Sequence, residues 1–339
     1  MGRGKVLNTM TTPEWIENIC FENKELLNDF IEYLNDIGRS DTTIYEYGED
    51  IKIAFCWSLN YLDNKSFIKW TKRDVQKYQG YLINECHLSS ARVRRMKAVL
   101  SSLSNYIENI LDDEYPDFRN IINKIESPPL TTTREKSVFS EEEIDNLLKT
   151  LVDRKEYCKV CLIALAAFSG RRKAELARFK VSDFDSGHLI CDGALYQSDK
   201  IKTKGRGKAG KLMECYTLAK EFQPYLNLWL EYRKINDIKS EWLLCDKNGN
   251  QLTISLMNSW YDEFTEILGK DFYLHSLRHN FTTRLLKAGI PATVIQRIIG
   301  WASLDLVSHY DDSTNDETFS QYFGSEGIKK VKRKSLSDL

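Results

Sequence analysis

The stretch GWASLDLVSHYDD, Gly300 to Asp312, places a tryptophan nine residues before a tyrosine and two aspartates directly behind it. A phenol titrates at about 10 and is a poor nucleophile at neutral pH. Tyr310 could attack a phosphodiester only where cations stabilise the phenolate and the five-coordinate transition state. Standing alone it reads as an ordinary packed aromatic.

Three other stretches could supply those cations. In FSGRRKAELARF (Phe168 to Phe179) a small-residue turn feeds a helix start carrying Arg171 and Arg172, with Glu175 one turn later. Helix starts favour anions, and the arginine fork fits phosphate oxygens. The plainer reading is an ion pair between Arg172 and Glu175. In KIKTKGRGKAGK (Lys200 to Lys211) six of twelve residues are basic and none is acidic. Gly205, Gly207 and Gly210 mark a turn between strands. Lys202 or Lys204 could protonate a leaving group from such a hairpin; otherwise this is a solvated tip, with Arg206 and Lys208 as further basic side chains. In LHSLRHNFTTRLL (Leu274 to Leu286) His275 and Arg278 stand three apart and share a helix face, one proton carrier beside one fork donor. His275 and His279 have the spacing of a metal pair, but no glutamate follows His275, so the zinc-protease pattern fails and no metal is expected.

These residues need a scaffold. A chain of 339 residues suggests two domains, and 42% hydrophobic residues suffice for real cores. Lys plus Arg (48) nearly cancels Asp plus Glu (49), so basic character must be sought in local patches. No run approaches a membrane span, and MGRGKVLNTMTTPEW lacks the apolar stretch of a secretory leader. The eight cysteines are scattered through apolar segments, as expected of reduced thiols in a cytoplasmic protein. Cys158 and Cys161 form a CxxC inside EYCKVCLIALAAF, where core packing is the natural reading.

The first third reads as helices. KELLNDFIEYLNDIG aligns Leu27, Phe30, Ile31, Leu34 and Ile37 on one face, and Gly38 closes it. Ser40 or Asp41 caps a helix striped by Ile44, Tyr47, Ile51 and Phe55. Thr71 and Asp74 form a capping box. A further helix carries Val93, Met96, Leu100, Leu103, Ile107 and Ile110, with Arg92, Arg94, Arg95 and Lys97 clustered at its start. That cluster is either a solvated face or a phosphate-contacting one. IESPPLTTTREKS (Ile125 to Ser137) reads as a linker. Ser140 and Glu143 form a second capping box, a buried helix follows at about 157–168, strands are expected near 188–192, 194–202 and 212–218, and helices resume to about 312. KKVKRK (Lys329 to Lys334) is a basic tail.

The four stretches stand in a fixed order: Arg-x-x-Glu, hairpin lysine, His-x-x-Arg, then Gly-Trp with a tyrosine nine residues on. In that order and spacing the chain resembles the tyrosine recombinases, the integrases of phages and mobile elements. RRKAELARFKVSDF is similar to the family's first arginine box, and HSLRHNFTTRLLKAGIPATVIQRIIGW to its second; the likeness runs from about Ser137 to Phe323. It implies a mainly α fold with a small β-sheet (α+β): an N-terminal helical core-binding domain (1–124), a linker (125–137), a catalytic domain (138–325) and a basic tail (326–339), closing as a C-shaped clamp on double-stranded DNA. It further implies that Arg172 and Arg278 clamp the scissile phosphate, that Glu175 buttresses the site, and that His275 assists proton transfer. Trp301, at a position often His in the family and Trp in its Cre-like members, would donate its indole N–H. Lys202 or Lys204 would protonate the leaving 5′-oxygen, with Lys202 slightly favoured. Tyr310 would form a 3′-phosphotyrosyl link, without cofactor or metal. Arg92, Arg94, Arg95, Lys97, Arg206 and Lys208 are candidate DNA contacts. The family also implies a homo-tetramer on two sites, with the segment after Tyr310 docking on a neighbour; its Phe319, Tyr322 and Phe323 are apolar enough to do so or to pack at home. Two other readings share these residues: a type IB topoisomerase-like or hairpin-forming resolvase, and a DNA-binding relative without catalysis.

Overall fold

The computed structural model of the chain describes residues 10–131, 139–205, 207–301, 303–304, 323–324 and 327–328. The fold is mainly helical with small antiparallel sheets, as the sequence led us to expect. It divides into two compact units, Met1–Glu135 with Arg206–Ala209, and Lys136–Gly205 with Gly210–Leu339. Among the described residues no helix is long and apolar enough to cross a membrane.

The first unit is built from α1 (Pro13–Asn18), α2 (Phe21–Asp36), α3 (Asp41–Tyr61), α4 (Lys72–Asn84) and α5 (Ser90–Ile110). Its helix starts follow local chemistry. Ser40 rather than Asp41 caps α3, its hydroxyl accepting from Thr43 N at 3.3 Å. Thr71 and Asp74 satisfy one another at the head of α4. Phe30, Leu34, Ile51, Phe55, Tyr78, Leu82, Val93, Leu103 and Ile107 fuse into one core. Each large side chain so buried contributes on the order of 1.5–3 kcal/mol. Two residues leave the expected stripes: Ile37 is 46% and Ile110 53% exposed. Both stand at helix ends, where the face has run past its packing partners, and Leu26 rather than Leu27 is fully buried in α2.

The basic start of α5 is also anchored within its own unit. Arg92 forks onto the buried Asp50 of α3, Nη1 to Oδ2 at 2.8 Å and Nη2 to Oδ1. Arg95 pairs with Glu46. Arg94 donates to Pro128 O at 3.0 Å, and Lys97 Nζ to Ile125 O at 2.7 Å and Glu126 O at 3.3 Å. Lys97, expected on a DNA-facing surface, is therefore corrected: it is 4% exposed and ties the start of the linker to its helix. Burial, aided by the nearby Arg94 charge, lowers its pKa. The acids that pair with this cluster lie on α3, far away in sequence, so the acid-free run of α5 hid them.

The second unit is centred on α7 (Tyr157–Ser169), which follows α6 (Glu141–Asp153) and its Ser140–Glu143 capping box. From Val160 to Ala167 every side chain of α7 is buried. A helix apolar on all sides belongs inside a core. Cys161 is fully buried, and burial pushes the Cys158 thiol up to about 12, as core cysteines should behave. After the short α8 (Lys173–Leu176) come β1 (Leu189–Ile190), β2 (Leu195–Gln197), β3 (Ile201–Thr203), β4 (Lys211–Met213) and β5 (Tyr216–Leu218). Then follow α9 (Ala219–Ile235), α10 (Ile254–Ser259), α11 (Tyr261–Leu268), α12 (Leu274–Lys287) and α13 (Ala292–Ile299). Helices α6, α9 and α12 pack on α7. A last backbone pair, β6 (Phe323–Gly324) with β7 (Gly327–Ile328), lies near the C-terminus.

The two long strands expected at 194–202 and 212–218 are each broken in the middle. Leu195 faces Leu218 and Gln197 faces Tyr216, but beyond the break Ile201 faces Met213 and Thr203 faces Lys211. Residues 198–200 thus oppose 214–215, one residue more on the first strand, which is a β-bulge. Ser198 keeps the arms together, bonding Cys215 through both backbone and hydroxyl at 2.9 Å. The amide of Asp199 instead donates to Asp183 Oδ1 at 2.8 Å.

Candidate active site

The site is assembled where α7 ends. Gly170 caps that helix in the left-handed region (φ +59), and a Cβ there would lie 2.4 Å from Phe281 Cδ1, so this turn tolerates no side chain. The next residues diverge. Arg171 turns inward and is 1% exposed. Arg172 turns outward with its side chain 32% exposed. Glu175, itself buried, holds Arg172 twice: one carboxylate oxygen accepts the Arg172 amide and the other its Nη1, each at 3.1 Å. The guanidinium is thereby oriented but remains accessible. The simple ion pair and the buttressed arginine are the same object.

From α12, Arg278 reaches into this turn. It donates through Nη1 to Gly170 O at 3.0 Å and through Nη2 to Ile299 O at 3.3 Å, and its guanidinium lies 5.8 Å from the Trp301 ring. Arg278 is 1% exposed. His275, one turn earlier on α12, is exposed, and its pKa is lowered, first by desolvation and then by the Arg278 and Arg172 charges. The imidazole is therefore neutral at neutral pH and able to accept a proton. Trp301 is 6% exposed and packs with Phe281, Ile295 and Ile299. Gly300 (φ +75) makes the turn into it, and a Cβ at that position would meet Met213 Cε at 2.8 Å.

Lys202 and Lys204 are both exposed and lie two residues apart across the buried Thr203, so they share one face of the hairpin. Arg178 fixes the arm by donating to Lys202 O at 2.5 Å. The bulge sets which face the lysines occupy, and it rests on Asp183. This buried carboxylate also accepts Lys180 N at 2.7 Å. Asp183, His188 and Asp199 bring ligand-type atoms within 4.8 Å of one another, but both Asp183 oxygens are engaged by amides. The cluster reads as the base of the hairpin.

The structure thus brings Arg172, Glu175, His275, Arg278 and Trp301 around one turn. Tyr310 and Arg206 lie outside the described residues, as does most of the tail; Lys208 is exposed in the hairpin turn. Sequence reasoning missed two supports. Arg171 was hidden by its neighbour, since a GRR doublet does not say which arginine turns inward. Asp183 stands in KVSDF, an acid three residues after Lys180 that reads as solvated, and nothing local shows that it is buried.

Comparison with known proteins agrees with this architecture. The phage integrase family model matches residues 137–317, and the phage integrase N-terminal SAM-like domain matches 26–117. The SPbeta prophage-derived recombinase-like protein YomM of Bacillus subtilis is 29% identical over 329 residues, covering 94% of this chain and 95% of its own length. Tyrosine recombinase XerA of Pyrococcus horikoshii is 23% identical over 318 residues, covering 91% and 94%. The fold resembles that of the XerH site-specific recombinase bound to palindromic difH substrate, with a TM-score of 0.62 at 19% identity, over 82% of this chain and 78% of that one. The chain belongs to the phage integrase family. It is a site-specific recombinase that cleaves and rejoins DNA through a tyrosine nucleophile.

Proposed function

We propose that Tyr310 is that nucleophile and that the turn at Gly170 holds the scissile phosphate. His275 takes the phenolic proton as the phenolate oxygen attacks phosphorus. The bond to the 5′-oxygen breaks, and Lys202 or Lys204 supplies the proton that this oxygen gains. The products are a 3′-phosphotyrosyl link and a free 5′-hydroxyl. A 5′-hydroxyl from a second strand reverses the step, so bond energy is conserved and no ATP is called for. Arg172 and Arg278 stabilise the charge on the two non-bridging oxygens, with the Trp301 indole as a further donor. The observation that carries this reading is that Arg278 bonds the carbonyl of Gly170, in the same turn that presents Arg172 on Glu175.

In this reading residues 1–124 form the core-binding domain, 125–137 the linker, 138–325 the catalytic domain and 326–339 a basic tail. Four protomers act on two DNA sites, and the segment with Phe319, Tyr322 and Phe323 docks on a neighbour. The protein works on the nucleoid, in the cytoplasm of a cell or phage host, moving or resolving a genetic element. Arg94, Arg206 and Lys208 would add backbone contacts, whereas Arg92 and Arg95, also candidates by sequence, are engaged by Asp50 and Glu46.

The test is to incubate the protein with DNA flanking its own gene and map the covalent attachment. Wild type is expected to be retained on one strand, and Tyr310→Phe to bind the same DNA while adduct formation drops at least about 10⁴-fold. Cleavage by Tyr310→Phe would assign the nucleophile elsewhere. Exchange between two such sites separates recombination from topoisomerase-like relaxation.

A further inference from the structure

Helix α13 ends beside the site and leads through Gly300 into Trp301. Its last two carbonyls are each held by a different arginine. Arg171 Nη2 donates to Ile298 O, and Arg278 Nη2 donates to Ile299 O. These oxygens carry the negative end of the helix dipole, so two guanidinium groups are well placed there. Gly300 closes the helix by donating to Gln296 O at 2.8 Å. Trp301 N donates to the same oxygen at 3.1 Å, and Gln296 Nε2 returns a bond to Trp301 O at 3.3 Å. Arg171 also packs under the turn itself, since a Cβ built at Gly300 would lie 3.4 Å from its Nη1.

Arg171 is 1% exposed, and its guanidinium is directed at the Ile298 carbonyl. Placing a permanent charge there has a clear structural consequence. Arg278 ties the turn at Gly170 to the end of α13 from one side, and Arg171 ties the same two elements from the other. Beside the apolar packing of Ile295, Ile298 and Ile299, Arg278 gives the end of α13 one polar link to this turn and Arg171 a second. The carbonyl that orients Arg278 and the exit direction of the chain then depend on Arg171.

We propose that Arg171 is a positioning residue for DNA cleavage. It aligns Arg278 and the departing Trp301 segment without touching the phosphate, an assignment that rests on Tyr310 and Arg278 acting as set out above. The test compares wild type, Arg171→Met and Arg171→Lys on the duplex to which the wild type attaches. Mobility shifts give affinity, and single-turnover adduct formation at saturating DNA gives the cleavage rate. Hydrogen exchange reads the amides of Gly300 and Trp301.

Arg171→Met should bind within about threefold of wild type, cleave at least about 100-fold more slowly, and lose protection at those two amides. Arg171→Lys keeps one donor for Ile298 O and should recover at least tenfold of the lost rate, which also keeps the proposal testable if the methionine variant does not fold. Arg171→Met cleaving within threefold of wild type would overturn the inference while leaving the wild-type reaction intact. So would parallel losses of affinity, rate and melting temperature unrelieved by lysine, the signature of a residue that only holds the core together. A wild-type protein that forms no adduct on any flanking DNA would instead remove the functional reading, and this inference with it.

Discussion

The two arginine-rich regions of this chain look alike in sequence and behave differently in the structure. At the start of α5, Arg92 and Arg95 are matched by the carboxylates of Asp50 and Glu46. Around the Gly170 turn, Arg171 and Arg278 donate to backbone carbonyls. A carboxylate cancels a guanidinium charge, whereas a carbonyl dipole orients it and leaves the formal charge in place. The first arrangement builds a domain. The second keeps positive charge at Arg171 and Arg278, beside an Arg172 that Glu175 pairs and orients but leaves partly exposed. A dense run of basic residues is therefore not by itself a binding surface; what faces each cation decides.

The contrast can be broken most sharply at Arg172. Arg172→Lys keeps a cation but loses the fork, and the rate of covalent adduct formation should fall roughly 10²–10³-fold with modest change in DNA affinity. A variant as fast as wild type would mean that charge alone matters. Next in size, Arg92→Met strands the buried Asp50, and urea unfolding of the chain should reveal a loss of about 3–5 kcal/mol. The salt slope of DNA binding should stay unchanged in that variant. A slope smaller by about one would show that Arg92 contacts phosphate after all.

The smallest effect sharpens the picture of His275. Its depressed pKa means that the neutral base persists below the ordinary histidine value of 6.5. Cleavage should hold roughly constant from pH 8 down to about 6.5 and decline only at lower pH, measured as single-turnover rate against pH. The linkage has the same sign: below 6.5 the unfolded chain binds the extra proton more readily, so this group's stabilisation is present above that pH and is lost as pH falls towards the lowered folded value. A midpoint at or above 6.5 would argue against the electropositive setting.

Much of this was legible in the residues. The capping boxes at Thr71 and Ser140 are local chemistry written across two intervening positions, and they formed as read. The helical period placed the cores, failing at Ile37 and Ile110, where periodicity cannot say that the partner helix has ended. Arg172, Glu175, His275, Arg278 and Trp301 could be gathered because the order of their stretches resembles that of the tyrosine recombinases; each stretch alone also has a plainer reading. What sequence could not show were pairings fixed only by folding. Asp50 meets Arg92 across two helices, Lys97 turns inward to the linker carbonyls, and Arg171 rather than its neighbour enters the core. The break in the strands was likewise silent, because an added residue leaves alternation intact on either side of it.

That added residue has a consequence for how the lysine arm can vary. Glycines at the tip allow the hairpin to grow or shrink there without disturbing its stem. Gaining or losing a single position at 198–200 would instead roll the whole distal arm over, hiding both Lys202 and Lys204 and turning Ile201 and Thr203 to water. Length is thus negotiable at one end of the arm and forbidden at the other, and an engineer grafting a different loop onto this enzyme should cut beyond Lys204.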